Sequence, residues 1–184
     1  FLTQEGVKGA EHLNNLAAHT TVLPFTRNIT GSMDYTPVTF SAPGNTTQAH
    51  QLAQSIVFES GLQHFADSKE IYRSIPASEL LKIVPASWDE IKFISGYPAD
   101  FVVLARRKGN DWFIGVMVNN QRGITIPLNF ISGTYTAVMY LDGLTAGTIS
   151  KSIRQVNLND TLNIPTLDGG GAAIHLTPAA PLNP

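Results

Sequence analysis

The chain has 184 residues, 43% of them apolar and only 14% charged, with a net charge of −2. That apolar share is ample for the core of one domain or two small ones, and the near-neutral balance gives no electrostatic reason to expect nucleic acid or an anionic membrane as partner. With no cysteine, disulfides and thiolate metal sites are excluded. No apolar run approaches the length of a membrane span, and the first residues lack the basic-then-apolar order of a signal peptide. Phe1-Leu2-Thr3-Gln4 reads as mid-domain sequence, so the expectation is a C-terminal piece of a longer protein.

Glu5 and Glu11 come first in chain order, six positions apart around Gly6 and Gly9. Paired carboxylates in glycine-rich sequence suit a place where backbone approaches a ligand and the acids handle protons or hold a hard cation. The plainer reading is that Glu11 caps a turn or pairs with Lys8. From Val7 to Pro37 the Gly-, Thr- and Asn-rich text predicts strand-to-loop crossings and no regular helix. Thr46 or Thr47 then caps a helix whose apolar positions Ala49, Leu52, Ala53, Ile56 and Val57 follow the i, i+3, i+4, i+7, i+8 stripe, stopped by Gly61. Leu62 to Phe65 is short enough for a strand, Asp67 or Ser68 opens a turn into Lys69 to Arg73, a helical pattern runs from Ser78 to Ile83, and Ser87-Trp88-Asp89-Glu90 starts another turn.

After about Ile94 the character changes. Residues 101–106, 112–118, 124–129, 133–141 and 150–158 are rich in β-branched or aromatic side chains and separated by Gly, Asn and Asp. Hairpin turns are predicted at Lys108-Gly109-Asn110-Asp111, at Asn119 to Gly123 and at Asp142-Gly143. Gly169-Gly170-Gly171 precedes a last strand around Ala173 to Leu176. This pattern predicts an antiparallel all-β module over residues 94–184, and the alternation before it divides the chain at about residue 93.

Certain words carry a resemblance. Glu5-Gly-Val-Lys-Gly-Ala-Glu11, Leu23-Pro-Phe-Thr-Arg-Asn28, Gly31-Ser-Met-Asp-Tyr-Thr-Pro37 and Phe58-Glu-Ser-Gly-Leu-Gln-His-Phe-Ala-Asp67 resemble the closing part of the catalytic domain of glycoside hydrolase family 97. Ser87-Trp-Asp-Glu90, Gly96-Tyr-Pro98 and Val102 to Gly109 extend the likeness to roughly residue 118, while Ser32 and Val38 depart from the Pro and Gly usual in the family. The resemblance implies the C-terminal part of a (β/α)8 catalytic barrel over residues 1–93 and an antiparallel β-sandwich over 94–184. It implies a bacterial enzyme, periplasmic or secreted, that cleaves α-glycosidic bonds in an oligosaccharide, most simply an α-glucosidase of either inverting or retaining type. Glu11 matches the general acid, and Glu5 with Glu11 matches ligands of a calcium ion in the full-length enzyme. The isolated chain is expected to be catalytically inert.

Other candidates rest on residue chemistry. His19 is carried as a sugar contact, since imidazole donates to hydroxyls, although a lone histidine is more often a structural group. Asp34 reads as a loop-orienting residue and Arg27 as a partner for a barrel carboxylate. His50 and His64 read as core groups, His175 as a surface-strand residue, and Trp112 as packing. An incomplete barrel exposes apolar surface and sheet edges, so self-association is expected. The competing reading is a non-catalytic β-sandwich that binds carbohydrate or serves as structure.

Overall fold

A computed structural model describes residues 16–33 and 35–179. Three short helices, α1 (Ala17–Thr20), α2 (Gln48–Val57) and α3 (Lys69–Ser74), alternate with 3-10 turns at Leu23–Phe25, Arg27–Thr30 and Pro76–Lys82. Eight strands follow: β1 (Glu90–Tyr97), β2 (Phe101–Lys108), β3 (Asp111–Val118), β4 (Gly123–Pro127), β5 (Tyr135–Asp142), β6 (Ile149–Val156), β7 (Thr161–Pro165) and β8 (Gly171–Pro178). Six of them form one sheet in the order β1-β2-β3-β8-β5-β6, and β4 pairs with β7 in a second. Every pairing among the described residues is antiparallel.

Side-chain pattern explains which strand goes where. β2 and β3 carry near-continuous apolar runs, Phe101 to Ala105 and Trp112 to Val118, and their central residues are buried on both faces. β4 and β7 alternate strictly, with Ile124, Ile126, Leu162 and Ile164 turned inward and Thr125 and Asn163 outward, as a covering layer with one wet face should. The small sheet therefore closes one face of the large one over a core of Val103, Trp112, Ile114, Val116, Ile174 and Leu176. The β2–β3 hairpin turns through Gly109 at φ +58°, in the left-handed region that glycine enters without steric cost.

Helix α2 covers the opposite face of the large sheet. Thr47 Oγ1 caps it by accepting from His50 N at 3.1 Å, which decides between the two threonines that the sequence offers. Its stripe splits between two cores: Ala53 and Val57 pack with Val102, Leu104 and Met117, while Leu52 and Ile56 pack with Phe113, Tyr140 and Ala173. Gly115 on β3 lets the helix come close, since a Cβ there would lie 2.6 Å from Val57 Cγ2 and 3.2 Å from Ala53 O.

Several expectations need correcting. Leu62 to Phe65 is irregular chain with no strand, and the helical pattern from Ser78 becomes the 3-10 turn Pro76–Lys82, which begins at a proline. Among the described residues before β1 there is no strand, and so none of the parallel pairing that a (β/α)8 barrel requires. Asn119 to Gly123 is not a hairpin, because β4 leaves β3 to pair with β7 in the other sheet. β1, where a turn was expected to begin, and β7 are additional strands. Charged residues at Glu90 and Lys92 and the short polar frame of Thr161-Leu-Asn-Ile-Pro165 hide them from a composition-based reading.

Candidate functional site

Glu5, Glu11, His12 and Asp34 lie outside the described residues. His19 is exposed on α1, in the turn that follows the predicted acid segment. Among the described residues, no three His, Asp or Glu side chains gather in a metal-binding arrangement. Arg27 Nη1 donates to Thr30 Oγ1 and to Gly31 O at 3.4 Å, so its described bonds stay within its own loop.

Hydrogen bonds from distant segments hold residues 17–20. Ala17 N donates to Asn45 Oδ1 at 2.8 Å, and His50 Nε2 meets Thr20 Oγ1 at 2.8 Å. His50 Nδ1 lies 3.0 Å from Gly170 O, which can only accept, so Nδ1 carries the proton and Nε2 accepts from the threonine. The ring is fully buried, and desolvation pushes its pKa down to about 4, against smaller opposing effects from backbone carbonyls. The core reading of His50 holds, and it joins α1, α2 and the β7–β8 turn. Asp142 supports the same junction: Oδ1 accepts from Thr47 Oγ1 and Oδ2 accepts from Leu167 N and Gly171 N at 2.9 and 3.0 Å. Burial raises its pKa, and those donors partly offset the shift.

The other histidines correct the sequence reading. His64 is exposed and not a core group. His175 sits in β8 inside the sheet, with its side chain 11% exposed, Nε2 2.8 Å from Asp111 Oδ2 and its ring stacked on Phe113 at 4.5 Å. Trp112 packs at 3% exposure with its ring 4.8 Å from that of Phe130, as expected.

Sequence reading by residue type missed Arg106. It is 3% exposed, and its Nη2 donates to Val57 O at 2.7 Å, so a guanidinium holds the last carbonyl of α2, where the helix dipole favours a cation. The Trp88 ring lies 5.6 Å from it. Burial lowers its pKa to about 10, opposed by the Glu59 charge, and the group stays charged at neutral pH. The available signal was the first cation of Arg106-Arg107-Lys108, which ends the apolar run Phe101 to Ala105 in register with Val102 and Leu104 on the helical side.

Several grooves open on the helical side, among them two with aromatic walls. One of about 490 Å³ is lined by Phe65, Tyr72, Ile75, Pro76 and Leu81. Tyr72 OH donates to Val38 O at 2.7 Å and accepts from Asp67 N at 2.8 Å, and burial pushes its pKa up to about 12. The other, of about 390 Å³, is lined by Phe25, Ile29, Trp88, Ile91, Phe93 and Leu104. Both mix apolar walls with charged groups, Arg73, Glu79 and Lys82 in the first and Glu59 and Arg106 in the second.

Residues 87–177 match the family model described as glycosyl-hydrolase 97 C-terminal, oligomerisation. The chain is 40% identical over 179 residues to a protein of Streptomyces bingchenggensis named probable retaining alpha-galactosidase, covering 94% of this chain and 28% of that one. It is 26% identical to the retaining alpha-galactosidase of Bacteroides thetaiotaomicron, over 95% of this chain and 30% of the relative. Among solved structures it is similar to a family 97 enzyme from Pseudoalteromonas sp. strain K8 in complex with acarbose, with a TM-score of 0.88, 30% identity, and 94% of this chain and 31% of that one covered. The chain thus spans less than a third of the length of each.

Proposed function

Because the chain belongs to glycoside hydrolase family 97, in its C-terminal portion, we propose that it completes a retaining α-galactosidase and that its β-sandwich is the structural and self-associating module of that enzyme. The observation that carries this reading is the 40% identity, spread over 94% of the chain, to a protein of that name. It favours galactose over the glucose that the family words most simply imply, although the Pseudoalteromonas enzyme binds acarbose. The periplasmic or secreted location expected from the family goes with the same reading.

In this reading the segment that carries Glu5 and Glu11 belongs to the catalytic domain of the parent enzyme, and Glu11 protonates the departing glycosidic oxygen. In a retaining reaction a second carboxylate about 5 Å away attacks the anomeric carbon, and the acid then serves as base for the incoming water. Glu5 lies close in sequence, and its negative charge would help keep Glu11 protonated near neutral pH. The bonds from Asn45 to Ala17 and between Thr20 and His50 steady the chain that leaves this segment. His19, on the exposed side of α1, is proposed to meet the sugar. Hard carboxylate oxygens suit calcium in kind, and Glu5 and Glu11 would supply part of the six to eight oxygens it takes. Once bound, the ion would supply a fixed positive charge beside the substrate.

The test uses the parent enzyme. It should hydrolyse an aryl α-galactoside faster than the matching α-glucoside and release the α-anomer first; a preference for glucoside overturns the substrate assignment. Glu11→Gln should cut turnover of an oligosaccharide by about 10²–10⁴-fold, because a sugar leaving group needs its proton. The same variant should lose far less on a substrate with an acidic phenol as leaving group. Equal losses on both substrates would remove Glu11 from the role of acid.

A further inference from the structure

The six-stranded sheet has two edges, β1 and β6, and they differ in chemistry. β6 reads Ser150-Lys151-Ser152-Ile153-Arg154-Gln155, with Lys151 tied to Glu79, a polar and charged edge of the kind that resists pairing. β1 turns Ile91 and Phe93 toward the helical side, opposite Arg106 and Leu104 of β2, and both are more than half exposed at 53% and 57%. Ile29, 73% exposed, lies on the same groove, and the Phe25 ring meets Phe93 edge-on at 5.8 Å. An edge strand flanked by contiguous apolar side chains is a ready template for another strand.

We propose that this edge is where a second copy of the chain docks, β1 against β1, about a twofold axis at Ile91. The proposal rests on the self-association reading above and names its surface. Charge fixes the register. Glu90 and Lys92 share the sandwich side of β1 and already pair within the strand at 2.7 Å. An antiparallel twofold centred on Ile91 sets Glu90 of each copy opposite Lys92 of the other, twice. Centring on Lys92 would set lysine against lysine, and centring on Phe93 would oppose Lys92 to Ile94, next to the irregularity between Phe93 and Ser95. In the favoured register the two Ile91 side chains meet on the helical side, with Phe93 of each copy beside them. An isologous contact of this kind closes on itself, uses up both β1 edges and leaves the guarded β6 edges outermost.

The chain has no cysteine, so a single introduced thiol reports directly. Directly opposed residues of an antiparallel pair have Cα atoms about 4.5–5.5 Å apart, within disulfide reach. Ile91→Cys should therefore form a covalent dimer on mild oxidation, and Ile153→Cys on β6 should not. Phe93→Glu, at a site already exposed, should keep the circular dichroism of the wild type and weaken the dimer in sedimentation about thirtyfold or more. A dimeric wild type that is unmoved by Phe93→Glu and gives no Ile91→Cys cross-link overturns this surface and leaves self-association standing. A wild type that sediments as a monomer at every concentration overturns both.

Discussion

At the scale of single residues, His50 and Arg106 are buried groups that tie α2 to distant segments, His50 from within the helix to Thr20 and Gly170 and Arg106 from β2 to the helix's last carbonyl. His50 is neutral when folded, with a pKa of about 4 against 6.5 in the unfolded chain. The unfolded state therefore takes up a proton first as pH falls. The stability this represents is fully present above pH 6.5 and is lost progressively toward pH 4, amounting to about 3 kcal/mol at most. Asp142, whose pKa is raised, works in the other direction over the acid range. Urea unfolding at pH 7 and pH 4.5 should show the loss, and His50→Gln should be less stable at pH 7 but flatter with pH. An unchanged pH slope in that variant would mean that other groups govern the acid response. The sequence placed His50 in the core by its helical setting, yet gave the same reading to His64, which is exposed, because local pattern does not say which neighbours arrive from distant strands.

At the scale of elements, the seat of α2 on β3 depends on a missing side chain. Gly115 leaves room for Val57, whose branched Cβ is stiff, and for the Ala53 carbonyl, which is backbone. Gly115→Ala should cost about 1–3 kcal/mol by overpacking, and adding Val57→Ala should return part of that stability. A denaturation series of the two single variants and the double variant checks this; simple additivity would show that the contact is relieved elsewhere. The helix itself was legible in the sequence, from its apolar stripe and from the threonine pair Thr46-Thr47 at its start. Its partner was not, because Gly115 looks like any glycine in a strand until β3 and α2 are brought face to face. The same limit explains β1 and β7: a five-residue strand such as Thr161–Pro165 acquires its hydrogen bonds only from β4, far away in sequence.

At the scale of the whole molecule, the change in composition near Ile94 suggests two units, whereas packing joins what flanks it. α2 lies on β3 and β8, Thr47 bonds Asp142, and Arg106 holds the end of α2. Helix and sheet should consequently unfold together. Heating followed by far-ultraviolet circular dichroism and by the fluorescence of Trp88 and Trp112 should give one coincident transition, and an earlier loss of helix would separate the units. The sequence by itself determined the family, through words such as Glu5 to Glu11 and Gly31 to Pro37, and most strands, through β-branched runs broken at glycine and asparagine. Those features depend on residues close together in the chain, where turn geometry and side-chain period are set. Only the tertiary structure decided which sheet each strand joins, that Arg106 and His50 serve as internal ties, and that β1 has no second strand beside it among the described residues. Each of these depends on pairings between distant segments, such as β3 with β8, whose partners no local pattern specifies.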